Sequence, residues 1–365
     1  MKTVELSKLR QLEKEKLISI QQHPTLPLLI HNYTQFCQFD RAWNDLTTMC
    51  RGLITDLEGN VVSRPFRKFF NLAEHEGEDS KLPPIDWRQP FVCTEKMDGS
   101  LGILYPTPDG PVLATRGSFT SDQAIRGTEI FRRKGYDKHP YAPEMTYLFE
   151  IIYPENRIVL DYGDMEDLVL LDVIETERGE SVSYEMLKKI GERIGCPVVE
   201  YLPLSAETIQ KLEESFGLTK GGEEEGVVVR FVSGQRVKVK YAEYCRLHKL
   251  ITGVNARHIW EHLMLGQSLD DLVDKVPDEF MEWVQKTVAE LKGAFEERRV
   301  HAMGVFAGIK ERLGDANRKE FALEFVKHEG LTSILFQLLD GKDPSLLIWK
   351  ALKPASISPF KHDEP

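Results

Sequence analysis

Between residues 50 and 245 the chain is cut into short runs rich in β-branched and aromatic residues: RGLITDL, NVVSRPF, PFVCTEK, LGILYP, VLATRGS, MTYLFEIIY, DLVLLDVI, EGVVVRF and RVKVKYA. Turn formers such as Glu58-Gly59-Asn60, Pro108-Asp109-Gly110 and Ser233-Gly234 separate them, so the pattern predicts antiparallel strands joined by tight connections. Two helices interrupt the series, SYEMLKKIGERIG from Ser183 and SAETIQKLEESFG from Ser205, each with a serine cap and a closing glycine. After Tyr244 the pattern changes. Helical periodicity runs through 243–252, 255–265, 268–275, 277–303, 318–328, 331–339 and 344–352. The predicted fold class is therefore α+β: a domain of antiparallel sheets with helices over residues 1–245, opened by a helix over 1–21, then an all-α domain over 246–365 with a loosely held tail from Lys353.

Composition narrows the function classes. A hydrophobic share of 41% with 29% charged residues is that of a globular protein with a sizeable core. No apolar run reaches the roughly eighteen residues a membrane span needs, and MKTVELSKLRQLEKEKL reads as charged helix instead of a signal peptide, so a cytoplasmic location is expected. Five widely spaced cysteines without a CxxC pair read as reduced and structural. A net charge of −11 disfavours indiscriminate coating of nucleic acid but leaves room for a basic cleft in an acidic body.

Several polar residues interrupt this apolar framework. TEKMDGS places Lys96, Asp98, Gly99 and Ser100 between two strands, where Asp-Gly by itself reads equally well as a charged turn. Glu150 lies in the apolar run YLFEIIY, and a carboxylate in such a run is costly unless paired or metal-bound. GGEEEGVVVRFVSGQRVKVKYAEY reads as a hairpin led by Glu225, with Lys238 and Lys240 on one face of its second strand and Val237 and Val239 on the other; a solvated outer face accounts for an isolated KVK equally simply. Arg51, in CRGLITD, and Arg64, Arg67 and Lys68, set among Phe66, Phe69 and Phe70, suit phosphate or base contact, or an edge strand with buried phenylalanines. In FRRKGYDK, Arg132, Arg133 and Lys134 read as a guide for a phosphate backbone or as a solvated helix end, and His248, His258 and His262 read as capping or solvated, or as a metal site on a helix.

In their order Arg51, Lys68, Lys96-x-Asp98-Gly99, Glu150, Glu225-Gly226 and Lys238-x-Lys240, these residues resemble the motif set of the covalent nucleotidyltransferases, the superfamily of ATP-dependent ligases and RNA capping enzymes. Over residues 30 to 250 the chain looks most like the phage RNA ligase 1 type, through its CRG and RKFFN segments. The resemblance implies a nucleotidyltransferase (ATP-grasp-like ligase) domain and a ligase that joins RNA 3′-hydroxyl and 5′-phosphate ends, tRNA among them, in RNA repair. Its implied cofactors are ATP and Mg2+, with Mn2+ as an alternative. Lys96 would be the nucleophile that forms lysyl-AMP, with Glu150, Glu225, Lys238 and Lys240 as its catalytic companions. Arg51 and Lys68 would grip the triphosphate, and Glu95, Glu150, Lys238 and Lys240 would contact the nucleotide. Asp98, Glu150 and Glu225 would be the metal ligands, Arg116 and Ser118 would lie in a segment that contacts nucleotide or RNA, and 168–173 would wall the adenine pocket. The alternatives are a non-catalytic RNA-binding protein on the same fold and a DNA ligase. A DNA ligase should continue into an OB-fold of short strands, where helices follow here, and no GxxxxGK[ST] marks a P-loop kinase.

Overall fold

The computed structural model describes residues 3–76, 80–212, 224–242, 244–245, 255–269 and 278–354. The chain divides into two compact units, Met1–Ile251 and Thr252–Pro365. Among the described residues, no helix is long and apolar enough to cross a membrane.

The first unit carries twelve strands: β1 (Ile18–Gln22), β2 (Leu28–Tyr33), β3 (Arg51–Asp56), β4 (Val61–Ser63), β5 (Phe70–Asn71), β6 (Phe91–Glu95), β7 (Ser100–Tyr105), β8 (Val112–Ala114), β9 (Met145–Ile152), β10 (Asp167–Glu175), β11 (Gly226–Phe231) and β12 (Arg236–Lys240). They form three four-stranded sheets, in the orders β1-β2-β3-β4, β10-β9-β7-β8 and β5-β12-β11-β6. The pairings are antiparallel, as expected, except that β12 runs parallel to β5, with Val237 opposite Phe70 and Lys238 opposite Asn71.

The expected opening helix is shorter than its charge pattern implies. It covers Leu6–Lys14 as α1, and Lys16, at φ 61, turns the chain into β1. The β-branched run from Ile18 then finds a partner in β2, and Ile18 is buried with Val4 and Leu9. Short helices α2 (Gln35–Phe39) and α3 (Asp45–Met49) follow, capped by Thr34 and Asn44. Helix α4 (Asp122–Arg133) is capped by Ser121. The helix expected from Ser183 is α5 (Tyr184–Ile194), with the Ser183 hydroxyl accepting from the Met186 N–H and Gly195 closing it at φ 82. The helix expected from Ser205 begins as α6 (Ala206–Gln210) under a Ser205 cap; its expected end at Gly217 lies outside the described residues.

The β5-β12-β11-β6 sheet owes its position to a strict alternation. Val227, Val229, Val237 and Val239 are fully buried against Leu72, Ile209 and Leu212. Each such valine stabilises the fold by about 1.5–3 kcal/mol. This burial fixes the register and, with period two, turns Lys238 and Lys240 toward the opposite face.

The second unit is helical in its described parts: α7 (Ala256–Leu265), α8 (Asp278–Leu313), α9 (Arg318–Phe325), α10 (Thr332–Leu339) and α11 (Ser345–Ala351). Trp260 donates its indole N–H to the Trp349 carbonyl at 2.7 Å, and Trp349 stacks on Phe295. Helix α8 runs ten residues past its expected end at 303 because Ala302 and Ile309 keep feeding one core with Phe321, Phe325 and Ile348. The stretches expected at 243–252 and 268–275 lie largely outside the described residues, as do the tail beyond Pro354 and the glycine-led entry at 221–223.

Candidate active site

Lys96 directly follows β6, and its N–H donates to the Gly226 carbonyl at 2.9 Å, extending the β6–β11 ladder. Gly226 in turn lies opposite Lys240 on β12. Lys96, Gly226 and Lys240 therefore form one row across three adjacent strands. A side chain at Gly226 is excluded: its φ is +153, and a Cβ would lie 2.1 Å from the Val239 carbonyl oxygen. Over that gap Glu225 reaches both lysines, 2.6 Å from Lys96 Nζ and 3.1 Å from Lys240 Nζ. Glu225 is 2% exposed, so these pairs are little screened by solvent. The alternative of a solvated outer face for the KVK strand is excluded, because Lys238 and the Lys240 side chain are also buried.

Glu150 enters from the neighbouring sheet, on β9 between Leu101 of β7 and Val169 of β10. Burial pushes its carboxyl up to about 8; the cations Lys96 and Arg51 oppose that shift, while Glu225 and Asp98 reinforce it. The approach is close, since a Cβ on Gly99 would sit 2.7 Å from the Ile151 carbonyl oxygen and 3.0 Å from Glu150 Cγ. Gly99 is thus demanded by contact with the Glu150 strand.

Asp98 points elsewhere. One oxygen accepts from the N–H groups of Val159 (2.9 Å) and Leu160 (2.8 Å), and the other accepts from the Tyr244 hydroxyl at 2.8 Å. A carboxylate saturated by such donors is an anchor for the turn behind Lys96, which argues against the metal-ligand role the resemblance implied. With Asp98 so engaged and Glu225 between two ammonium groups, no group of three or more Asp, Glu, His or Cys among the described residues is disposed to hold a metal ion. The expected trio of Asp98, Glu150 and Glu225 is thus not assembled as a cradle. Glu150 and Glu225 are the hard oxygen donors that would hold a divalent cation here.

Glu95 is also placed apart from its neighbour. It lies opposite Val227, on the buried-valine face, and Lys96 on the other. Burial raises its carboxyl, with Glu200 and Glu224 adding to the effect. Its side chain is not among the groups gathered at Lys96.

Arg51 opens β3, with its guanidinium 5.5 Å from the Phe69 ring. The ammonium of Lys68 is buried in an aromatic cage, 5.6 Å from the Tyr33 ring and 5.4 Å from both Trp43 and Phe70. Arg116 donates to the Tyr33 hydroxyl at 3.0 Å and lies 5.1 Å from the same ring. Ser118 serves its own turn, accepting from the Thr120 N–H, and Ser100 meets the Asn156 amide. The cage walls Tyr33, at the end of β2, and Trp43, beside the Asn44 cap of α3, escaped sequence reading because β1 lay largely within the expected opening helix and no element was assigned to the residues between it and Cys50; aromatics flanking a capped turn were the available signal.

The rest of the basic residues divide by pairing. Arg64 is buried and donates from Nε to the Thr176 carbonyl, and Arg67 braces α3 through Asp45. On α4, Arg126 and Arg133 both pair with Glu166, and Lys134 pairs with Asp167 at 3.0 Å. FRRKGYDK is therefore a compensated helix end. His262 donates from Nδ1 to the His258 carbonyl on α7. The 168–173 run is a core strand as expected, with Leu168, Leu170 and Val173 fully buried and only Leu171 half-buried at a bulge.

Comparison with known proteins shows which chains this one is similar to. A protein of Thermovibrio ammonificans whose name carries the words RNA ligase is 28% identical over 282 residues, covering 73% of this chain and 69% of that one. The RNA ligase of Rhodothermus phage RM378 is 25% identical over 391 residues, covering 87% of this chain and 86% of its own. Among solved structures, a Naegleria gruberi RNA ligase with PPi aligns at 18% identity and a TM-score of 0.37, over 44% of this chain and 52% of that one. The family model described as RNA ligase matches residues 49–244, more than half of the sequence and every strand from β3 to β12, and on that match the chain belongs to the RNA ligase family.

Proposed function

We propose that the protein is an ATP-dependent RNA ligase that seals RNA 3′-hydroxyl and 5′-phosphate ends through a covalent lysyl-AMP on Lys96. The observation that carries this reading is the Lys96 amine, 2.6 Å from Glu225, with Lys240 on the same carboxylate and Glu150 in electrostatic reach. An ammonium cannot attack phosphorus, so Lys96 must first lose a proton. Glu225, 2.6 Å from the Lys96 amine and with Lys240 at its other oxygen, is the base placed to take that proton. The nitrogen lone pair then forms a bond to the α-phosphorus of ATP as the bond to pyrophosphate breaks. Arg51 and caged Lys68 bind the departing pyrophosphate, while Lys238 and Lys240 stabilise charge on the α-phosphate. A divalent cation held by Glu150 and Glu225 would supply charge neutralisation for the phosphates.

AMP would next pass to the RNA 5′-phosphate, whose oxygen displaces Lys96 from phosphorus. The 3′-hydroxyl then attacks that 5′-phosphate and expels AMP. A tRNA substrate, Mg2+ as the working metal and a cytoplasmic setting complete the reading, on the strength of the family resemblance. Incubation with α-labelled ATP and magnesium should leave label on the chain, and Lys96→Ala should abolish it; an unlabelled wild-type protein would favour a non-catalytic RNA-binding role. Sealing of 5′-phosphorylated RNA in preference to DNA of the same sequence separates this reading from a DNA ligase.

A further inference from the structure

We infer that Arg236 is a positioning residue, one that sets the lysines of β12 against Glu150 and against Arg51 without touching substrate; the inference rests on the nucleotide site proposed above. Arg236 lies two residues before Lys238 on the same face of β12, and its side chain is 12% exposed. Its Nη2 donates to Asp172 Oδ2 at 2.7 Å and to Ser181 Oγ at 2.5 Å. The Ser181 hydroxyl donates to the same Asp172 oxygen, while Asp172 Oδ1 accepts from the Val173 N–H.

This contact joins two sheets. Arg236 belongs to β5-β12-β11-β6, which carries Lys238 and Lys240, whereas Asp172 belongs to β10, the strand that pairs with β9 and Glu150. The candidate site draws its groups from both sheets, so the spacing between its lysines and Glu150 depends on how the sheets are held. Arg230 of β11 adds a second tie, donating to the Val182 carbonyl at 2.8 Å and lying 3.8 Å from Asp172.

The other face of the guanidinium leads to Arg51. It lies 4.7 Å from the Phe66 ring; Phe66 meets Phe69 edge to face at 6.1 Å; Phe69 carries Arg51 at 5.5 Å. Two arginines thus sandwich an aromatic pair, and one of them is a proposed triphosphate ligand. Only a planar cation with a forked donor set can stack on Phe66 and hold Asp172 together, which lysine cannot do. A buried ion pair is a weak source of stability compared with apolar packing of similar volume, so its value here lies in orientation.

The double variant Arg236→Met with Asp172→Leu tests this, because it removes both buried charges at once. ATP affinity by calorimetry, the ATP KM and saturating rate of adenylation, and Tm are compared with wild type. The expected result is an unchanged Tm with ATP affinity reduced by about tenfold and adenylation slowed on the order of 10²-fold, the scale of an ångström misplacement. Arg236→Lys should restore part of the affinity and little of the rate. A folded double variant with wild-type affinity and rate overturns the inference. If the double variant loses Tm, Asp172→Asn decides: wild-type ATP affinity and rate there also overturn it. A wild-type protein that binds ATP but takes no label refutes the ligase reading, and the inference then stands or falls on ATP affinity alone.

Discussion

The molecule has two conspicuous basic clusters, and they differ in one respect. On β12 and beside β6, Lys240 and Lys96 meet at the buried carboxylate of Glu225, whereas on α4 Arg126, Arg133 and Lys134 face solvent with Glu166 and Asp167 beside them. In sequence the second cluster is the denser. Burial separates them: at the sheet two cations share one buried carboxylate under weak screening, while at the helix end water and salt weaken each pair. Cation density in a sequence is therefore a poor guide to chemistry unless the strand pattern says which face is covered.

The largest expected effect comes from breaking the buried row. Glu225→Gln leaves Lys96 and Lys240 without their shared anion, and loss of one partner of a buried pair costs about 3–5 kcal/mol. Adenylation should fall to near background and Tm should drop, both read on the same preparation; a variant as stable and active as wild type would mean that the row is ornamental. A smaller loss is expected at the cage. Trp43→Ala removes one ring from around Lys68, at about 0.5–2 kcal/mol for a cation–π contact, so ATP affinity should weaken by roughly two- to thirtyfold with adenylation at saturating ATP retained.

The pH response should sharpen the contrast. Glu150 has its carboxyl raised from 4.5 to about 8, so the folded protein holds a proton there that the unfolded chain releases above about 4.5. The stability linked to this group is fully present below that lower value and is lost as pH rises to about 8. Tm should therefore decline across that window in wild type, and the decline should be shallower in Glu150→Gln; equal slopes would mean that the carboxyl is not protonated by burial. The smallest effect is expected at the other cluster: Arg133→Ala and Lys134→Ala should change sealing rate by no more than about twofold at moderate salt, and a salt-sensitive loss of RNA affinity would return that cluster to the RNA path.

Much of this arrangement is legible from residue order alone. The KVK alternation, the glutamate inside YLFEIIY, the glutamate leading the hairpin and Lys-x-Asp-Gly between strands single out Lys96, Glu150, Glu225, Lys238 and Lys240; in the structure Lys96 and Lys240 meet Glu225, with Glu150 and Arg51 in electrostatic reach. Asp98 and Glu95 read as members of the same set, yet one is engaged by Val159, Leu160 and Tyr244 and the other lies on the opposite face of the sheet. The strand at Ile18 was hidden by the charged helix before it, because pairing with β2 decided its conformation.

Period-two alternation is a local property of the backbone, so the sequence by itself determined which lysines share a face, where most strands after residue 50 lie and which family the motif order resembles. It could not determine which carboxylates meet those lysines. Asp98, Glu150 and Asp172 reach their partners, and Glu225 reaches Lys96, across sheets and loops remote in the chain, and burial and pairing there depend on packing that no local pattern encodes. The tertiary structure made that choice, and with it separated the carboxylates that anchor from those that face the amine.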